Sequence, residues 1–265
     1  MLAGTEEHHG ASRRIEVRGE EDYTAKVEEF KRDRGIGFVL AFSGGADDEN
    51  PLLQHISEQL QLLARTDDER ELLKKQVESA VDDYIATIVR AILKPLRGYR
   101  IAVQSGGTKW GVPRIAIEVA RECGFPTIGV YPQLAEQKHA LREKLDLSVC
   151  VHPQIYQSSW GDEASVFTKL LDGVVVIGGN AGTLVEMAKI LKLNERKGIA
   201  IKHIVPIYGT GCAANSMLSF PGKLKTMAAC LPAHRITTGR EAVEYLKDSV
   251  VPEDIYKRFD EKESM

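Results

Sequence analysis

The residues best suited to chemistry in this sequence lie at positions 178–186, which read GGNAGTLVE. A short β-branched run, residues 174–177, comes directly before them, and a helical pattern follows from Thr183. Glycines let the chain turn sharply and let a ligand approach the backbone where a Cβ would clash. The first amides of the next helix have no partner within it and lie at the positive end of its dipole. The segment therefore predicts a binding site for an anionic oxygen such as that of a phosphate.

Glu186 is the acidic residue of this segment, and its spacing from Thr183 allows two interpretations. Thr183-Leu-Val-Glu186 fits a capping box, in which the glutamate hydrogen-bonds the start of its own helix. Alternatively, the carboxylate lies beside the ligand, as an acceptor for a ribose hydroxyl or as a general acid or base. Both interpretations remain open, because a cap and a ligand contact can share one turn.

Three further glycine turns, at positions 44–45, 106–107 and 209–211, also follow predicted strands. Because parallel strands end at the same edge of a sheet, we expect the four turns to form one site there. The residues predicted to bind the ligand are Ser43, Gly44, Gly45, Ala46, Ser105, Gly106, Gly107, Thr108, Lys109, Gly111, Gly178, Gly179, Asn180, Ala181, Gly182, Thr183, Glu186, Gly209 and Thr210.

Side chains around the turns allow further contacts, each with an ordinary alternative. Lys109 could pair with a phosphate, although a solvated lysine is commoner. Trp110 and Tyr208 could stack on a base, or they could pack in the core or at the rim. The acidic loop at residues 47–49 could accept ribose hydroxyls or hold Mg²⁺, although such loops are usually solvated. No cofactor or metal is firmly implied.

Each glycine turn by itself is more often structural than functional, so the site prediction depends on there being four. The sequence has no G-x-x-x-x-G-K-[ST] motif, and no G-x-G-x-x-G with a suitably placed acidic residue. These absences disfavour a P-loop enzyme and an ordinary nicotinamide dehydrogenase.

The turns connect alternating strand and helix patterns. Strands are predicted at residues 15–17, 37–42, 100–104, 127–131, 147–151, 174–177, 203–207 and 235–236. Helices are predicted at residues 23–30, 66–95, 113–123, 136–144, 159–171, 183–193, 239–246 and 253–259. The second helix starts with a capping-box pattern, Thr66-x-x-Glu69. Residues 15–17 could form an edge strand, and Pro206 favours an edge or terminal position for its strand. This alternation predicts an α/β, Rossmann-like, doubly wound fold, with a mostly parallel sheet and helices on both faces. We expect a single domain at residues 35–265 after a polar, partly ordered lead at residues 1–34.

Composition excludes several functional classes. The net charge is −3, with 28% of residues charged, so no basic field for nucleic acid is present. No apolar run approaches the ~18 residues that cross a membrane, and residues 1–14 lack the apolar core of a secretory signal. The four cysteines are widely spaced, without a C-x-x-C pair, which favours a reducing compartment and disfavours a zinc site. We therefore expect a cytoplasmic protein with no nucleic-acid or membrane partner.

Residues 177–186, IGGNAGTLVE, resemble the P-G-G-x-G-T-x-x-E hallmark of the SLOG superfamily, which includes the LONELY GUY (lysine-decarboxylase-like) proteins. Isoleucine replaces the proline, and one extra residue separates the second and third glycines. Residues 105–111, SGGTKWG, are similar to the family's earlier G-G-G-x-x-G-x-M turn, and residues 127–132 resemble its next strand. Residues 42–46, FSGGA, are more similar to the SLOG domains of melastatin-type TRP channels and their prokaryotic relatives. The resemblance extends over about residues 35–211.

The resemblance implies a Rossmann-like fold that binds nucleotides or derivatives such as ADP-ribose. LONELY GUY enzymes hydrolyse the N-glycosidic bond of cytokinin nucleoside monophosphates and release ribose 5-phosphate. They use the hallmark glutamate, here Glu186, and an arginine on the preceding helix. In this sequence Asp162 and Glu163 occupy the positions of the family's cations. Phosphoribohydrolase activity is disfavoured by this difference, because the arginine would hold phosphate or stabilise the leaving group.

The resemblance and the residues together support three hypotheses. The first is binding of a nucleotide-like small molecule such as AMP or ADP-ribose, as in a sensor. The second is hydrolysis of a nucleoside monophosphate with Glu186 as the acid or base. The third is transport of a phosphorylated cofactor such as the molybdenum cofactor. Related proteins are commonly dimers, so we expect a homodimer or higher homo-oligomer, with the helix at residues 69–93 as a plausible surface.

Overall fold

The computed structural model describes residues 12–19, 23–45, 66–136, 140–154 and 157–256. Within these ranges seven parallel strands form one sheet in the order β1-β5-β4-β3-β2-β6-β7. The strands are β1 (Arg13–Val17), β2 (Phe38–Gly44), β3 (Ile101–Ser105), β4 (Thr127–Pro132), β5 (Leu147–Val151), β6 (Gly173–Ile177) and β7 (His203–Pro206). The predicted α/β, Rossmann-like fold is confirmed.

Helices cover both faces of the sheet, because its buried strands are apolar on both sides. The helices are α1 (Thr24–Asp33), α2 (Asp67–Leu93), α3 (Gly111–Glu122), α4 (Ala164–Leu170), α5 (Ala181–Asn194), α6 (Cys212–Ser216), α7 (Leu224–Cys230) and α8 (Gly239–Ser249). Along β2, Phe38, Leu40 and Phe42 pack with α2, α3 and α8, whereas Val39 and Ala41 face the core under α1, α4 and α5. None of the helices in these ranges is long and apolar enough to span a membrane.

Three local predictions are confirmed at the ends of elements. α2 begins with the predicted capping box, in which Thr66 and Glu69 exchange side-chain-to-backbone hydrogen bonds of 3.2 Å. β1 and β7 form the two edges of the sheet, and Pro206 is the last residue of β7. β1 and α1 lie within the predicted polar lead, and the domain boundary at residue 35 stays a prediction.

The polar helix predicted at residues 136–144 is wrong for the described part of that segment. Single 3₁₀ turns occur at Gln133–Ala135 and Arg142–Lys144 instead. Between them, Ala140 forms an isolated bridge with Thr108, and the Leu141 N–H donates to the Gly107 carbonyl at 2.8 Å. These contacts with the turn after β3 replace the helical hydrogen bonds.

Other predicted elements are shorter in the structure. The helix predicted at residues 159–171 begins only at Ala164, because the Asp162 carboxylate holds a separate turn by accepting from Ser159 N at 2.9 Å. Ile236 of the last predicted strand makes only an isolated bridge, to Ile207. The final helix is a 3₁₀ turn, Glu253–Tyr256, within the described residues.

Candidate functional site

The four predicted glycine turns lie at one edge of the sheet, because β3, β2, β6 and β7 are consecutive and parallel. The tips of β2 and β6 are in direct contact, with Gly44 in register with Ile177. A Cβ at Gly44 would lie 2.2 Å from the Ile177 carbonyl oxygen and 2.7 Å from Val112 Cγ2. Glycine at position 44 therefore permits a close backbone approach that no other residue allows. The Val112 N–H donates to the Gly45 carbonyl at 3.0 Å, which joins α3 to the same tip.

The turn between β6 and α5 exposes the start of a helix. Gly178 and Gly179 have φ values of +60° and +93°, a region that favours glycine. α5 begins at Ala181, and the Asn180 side chain makes no capping hydrogen bond. Ala181 and Gly182 are exposed. The first turn of α5 therefore presents backbone amides to solvent beside the tips of β2 and β6.

Thr210, in the turn after β7, holds the β6 turn in place. Its buried hydroxyl accepts from the Gly178 N–H at 2.8 Å and donates to the Ile207 carbonyl at 2.6 Å. The amides of Ala213 and Ala214 donate to the carbonyls of Gly179 and Gly178 at 3.0 Å. The Gly178 amide is thus already used within the protein, whereas the first turn of α5 is open.

Glu186 does not form the capping box that its spacing allows. The helix begins two residues before Thr183, and the carboxylate instead accepts a 2.5 Å hydrogen bond from the Ser43 hydroxyl on β2. Ser43 is 4% exposed, and no ion pair engages Glu186 within the described ranges. Burial raises the pKa of Glu186 to about 8, against the opposing effect of the Ser43 hydrogen bond. At neutral pH the Glu186 carboxyl is therefore mostly protonated.

Glu163 is a second acidic residue whose charge affects the ionisation of Glu186. Its charge contributes to the raised pKa of Glu186. Its own pKa is raised by burial, although Glu163 Oε2 accepts from the Gly161 N–H at 2.9 Å. The sequence identified Glu163 only as a departure from the family's cation. Its proximity to Glu186 depends on how α4 and α5 pack, which no local pattern encodes.

The turn after β3 is stabilised by hydrogen bonds of Ser105 and by close packing against β4. The Ser105 hydroxyl accepts from the Gly107 N–H at 3.2 Å and donates to the Pro113 carbonyl at 3.1 Å. At Gly107, with φ +63°, a Cβ would lie 3.0 Å from both Gly129 Cα and Tyr131 Cδ1. The close packing at position 107 accounts for the glycine there, so no ligand is needed to explain it. Lys109 is exposed at the end of the turn.

The structure thus brings most of the predicted residues together without testing their binding roles. Residues 43–45, 178–183 and 209–210 surround the tips of β2, β6 and β7, with Glu186 one turn along α5. The turn at residues 105–111 lies next to them on the β3 side. Ala46 and the acidic loop at residues 47–49 lie outside the described residues.

Tyr208 is largely buried and lies beside a cation. Tyr208 is 8% exposed, and the Arg235 guanidinium lies 5.8 Å from the centre of its ring. No cluster of three or more His, Cys, Asp or Glu side chains suited to a metal ion occurs in the part of the chain that the structure describes.

Comparison with solved structures identifies similar folds. TM1055, a structural genomics target, is 19% identical, with a TM-score of 0.52, and the match covers 79% of this chain and 98% of that chain. The molybdenum cofactor carrier protein of Chlamydomonas reinhardtii is 15% identical over 79% of this chain and 95% of that chain, with a TM-score of 0.48. The molybdenum cofactor binding protein of Rippkaea orientalis is 14% identical over 80% of this chain and 97% of that chain, with a TM-score of 0.48. At such identity the likeness to TM1055 shows the fold alone.

Comparison at the level of sequence gives one family. No curated protein matches the chain. The profile of the SLOG cluster4 family matches residues 79–216, which are 138 of the 265 residues. The match includes both the turn at residues 105–111 and the hallmark-like segment at residues 177–186. The chain therefore belongs to the SLOG cluster4 family.

Proposed function

We propose that this protein binds a phosphorylated nucleotide or nucleotide derivative at the carboxyl edge of its sheet. The phosphate lies at the N-terminus of α5, and the ribose lies beside Glu186 and Ser43. One observation carries the proposal: the uncapped, exposed first turn of α5 adjoins the hydrogen-bonded pair of buried Ser43 and half-buried Glu186. Membership of the SLOG cluster4 family supports a role in ligand binding or transport without specifying the ligand.

The proposed phosphate contacts come from the backbone. Helix N-termini bind anions through free amides and the helix dipole. Because the Gly178 amide is used by Thr210, the amides at residues 181–183 remain for the phosphate. Exposed Ala181 and Gly182 have short or absent side chains, so they leave this approach open.

Glu186 would repel a phosphate if it were ionised, but its raised pKa removes that objection. A protonated carboxyl carries no charge and can donate a hydrogen bond to a ribose or phosphate oxygen. The pKa of about 8 therefore makes Glu186 compatible with an anionic ligand at neutral pH. The Ser43 hydrogen bond fixes the position of this carboxyl.

A thermal-shift screen with AMP, ADP-ribose, cyclic ADP-ribose, NAD and ribose 5-phosphate tests the proposal. A ligand at 100 times its Kd stabilises the folded state by about 2.7 kcal/mol, which gives a clear increase in Tm. We expect at least one of the nucleotides to give such an increase. If none does so at millimolar concentration, the proposal is wrong.

Two matched variants test the location of the phosphate. In Ala181→Asp the new carboxylate lies in the first turn of α5, where it would repel a phosphate. The same charge favours the helix dipole by about 0.3–1 kcal/mol, so folding is preserved. Ala25→Asp makes the same change in the first turn of α1, which follows the opposite edge strand β1. We expect Ala181→Asp to weaken binding at least tenfold and Ala25→Asp to leave it unchanged. Equal affinity in both variants would exclude the N-terminus of α5.

The raised pKa of Glu186 also favours a second candidate, hydrolysis of a nucleoside monophosphate. In that reaction water attacks C1′ of the ribose, the N-glycosidic bond breaks, and the Glu186 proton passes to the departing base. The proton that the water loses then restores the Glu186 carboxyl. The products from AMP are adenine and ribose 5-phosphate. A carboxyl with a pKa near 8 is protonated at neutral pH and can act as this general acid.

Product analysis separates hydrolysis from binding. If hydrolysis occurs, free ribose 5-phosphate accumulates, and Glu186→Gln abolishes its formation while retaining most of the affinity for AMP. Glu186→Asp, which keeps a titratable group, retains part of the rate. Full activity in Glu186→Gln would remove the proposed role. If no ribose 5-phosphate forms, the protein binds the nucleotide without cleaving it.

Mass spectrometry of the ligand that co-purifies with the protein addresses the remaining alternatives. A nucleotide in the purified protein supports the first proposal, whereas a pterin phosphate such as the molybdenum cofactor supports a carrier. The expected homodimer and the cytoplasmic location remain predictions. Light scattering of the purified chain tests the first, and fractionation of cells tests the second.

A further inference from the structure

The two tryptophans of this chain contact each other near the candidate site. The rings of Trp110 and Trp160 are 6.5 Å apart between centroids, with an interplanar angle of 64°, which is an edge-to-face arrangement. Trp110 is half-buried, and Trp160 is 53% exposed. Edge-to-face packing is a favourable geometry for two aromatic rings. The contact fixes two indoles from distant segments in one place while leaving much of one indole open to solvent.

Hydrogen bonds hold the exposed Trp160 on a defined turn. Asp162 accepts from the Ser159 N–H at 2.9 Å and from the Ser159 hydroxyl at 3.2 Å. The Ser158 hydroxyl accepts from the Leu134 N–H at 3.0 Å, which ties this segment to the end of β4. The exposed indole is therefore presented by an organised segment, so little entropy is lost when a ligand stacks on it.

Both tryptophans directly precede elements of the candidate site. Trp110 is the N-cap residue of α3, whose Val112 amide is bonded to the Gly45 carbonyl. Trp160 directly precedes Gly161, whose amide bonds to Glu163, and the charge of Glu163 acts on Glu186. The indole pair thus borders the site on the side of the turn after β3.

We infer that Trp110 and Trp160 form the stacking surface for an aromatic heterocycle of the bound ligand. This inference rests on the proposed function and specifies the ligand class: a heterocyclic base joined to a phosphorylated sugar, rather than a sugar phosphate alone. The phosphate contacts the first turn of α5, the sugar lies beside Glu186, and the base lies against the exposed part of Trp160. Alanine substitution of an aromatic residue that stacks on a base commonly weakens binding about 5- to 150-fold.

Binding measurements with and without a base test this inference. The probes are AMP, ADP-ribose and NAD as ligands with bases, and ribose 5-phosphate as the ligand without one. In the native chain we expect at least one base-containing probe to bind about tenfold more tightly than ribose 5-phosphate. Trp160→Ala should remove this advantage and leave the affinity for ribose 5-phosphate within about twofold. Trp160→Phe should keep most of the advantage because it keeps an aromatic face.

Controls distinguish stacking from a general effect on the fold. Leu218→Ala removes another large apolar side chain that is 51% exposed, and it should change no affinity. Tryptophan fluorescence reports directly on stacking, because Trp110 and Trp160 are the two tryptophans of the sequence. AMP should change the fluorescence, and ribose 5-phosphate should not.

The outcomes separate this inference from the proposed function. If no base-containing probe binds the native chain more tightly than ribose 5-phosphate, or if Trp160→Ala leaves the affinity for all of them unchanged, the stacking surface is overturned and the phosphate site stands. Failure of all four probes to bind would overturn the proposed function, and the stacking surface with it.

Discussion

Glu186 at the tips of β2 and β6 and Glu16 at the sheet edge β1 have opposite environments. The Glu16 carboxylate contacts three side chains: Arg14 at 2.5 Å, Arg18 at 2.6 Å and His152 at 2.8 Å. Hydrogen bonds from Arg18, His152 and Arg14 lower its pKa to about 2. Glu186 has a neutral donor, Ser43, and burial raises its pKa to about 8.

The difference separates a structural ion-pair cluster from a candidate site. A carboxylate surrounded by cations remains ionised and has little capacity to exchange a proton at neutral pH. A carboxyl that is buried without a cation costs stability when it ionises, and such groups occur where function requires a proton or a hydrogen bond at a defined place. Glu186 belongs to the second kind, which agrees with its position beside the open first turn of α5.

The tips of β2 and β6 depend on close backbone packing, whereas the β1 edge depends on ion pairs. Substitution of Gly44, at the tip of β2, should therefore cause the largest loss of stability. In Gly44→Ala the new methyl group meets the Ile177 carbonyl, a backbone atom that cannot move away by itself. We expect the free energy of unfolding to fall by about 3 kcal/mol, as for a severe overpacking change. Urea denaturation measures it.

Gly182→Ala is the matched control for Gly44→Ala, because a Cβ at Gly182 would meet nothing within 4 Å. We expect its stability to change by less than about 1 kcal/mol, and upward, since alanine favours a helix over glycine. Similar losses in both variants would contradict the account of the contact between the tips of β2 and β6.

An intermediate effect should appear in the pH dependence of stability. The pKa of Glu186 is raised from 4.5 to about 8 in the folded state. Its protonation therefore stabilises the fold fully below pH 4.5, and this contribution is lost as pH rises through 8. We expect Glu186→Gln to be roughly as stable as the native chain at pH 4 and more stable at pH 9, by on the order of 2 kcal/mol. Parallel pH profiles for the two proteins would show that Glu186 ionises normally.

We expect the smallest loss of stability from substitution of Glu16. Because its pKa is lowered to about 2, its ionised form stabilises the fold above pH 4.5, and this contribution is lost as pH falls toward 2. Its cluster is partly exposed, so Glu16→Gln should cost at most about 1 kcal/mol at pH 7. Denaturation in 1 M NaCl should reduce the difference because salt screens the charges. If Glu16→Gln lost more free energy of unfolding than Gly44→Ala, the comparison between the β1 edge and the tips of β2 and β6 would be wrong.

Much of the fold follows from local sequence patterns. The apolar run at residues 174–177 and the capping box at Thr66 each specified an element that the structure contains. Glycine after a strand indicated the turns, and the parallel sheet brought those turns to one edge. These features depend on hydrogen bonds and burial within short segments, so a single sequence can encode them visibly.

The features that sequence patterns missed depend on contacts between distant segments. Thr183 and Glu186 have the spacing of a capping box, yet Glu186 binds Ser43, 143 positions away. The contact between Trp110 and Trp160 likewise has no local signature. At residues 140–141, bonds to the turn after β3 prevail over helix propensity. Tertiary packing decides each of these cases.

Backbone amide NMR during titration with AMP tests the central claim most directly. If the phosphate binds the first turn of α5, the amide resonances of Ala181, Gly182 and Thr183 shift and saturate together, while those of Arg14 and Arg18 at the β1 edge stay in place. The cationic cluster around Glu16 is the obvious competing place for an anion, because its arginines are partly exposed. Shifts confined to that cluster, or no saturable shift at residues 181–183, would contradict the account.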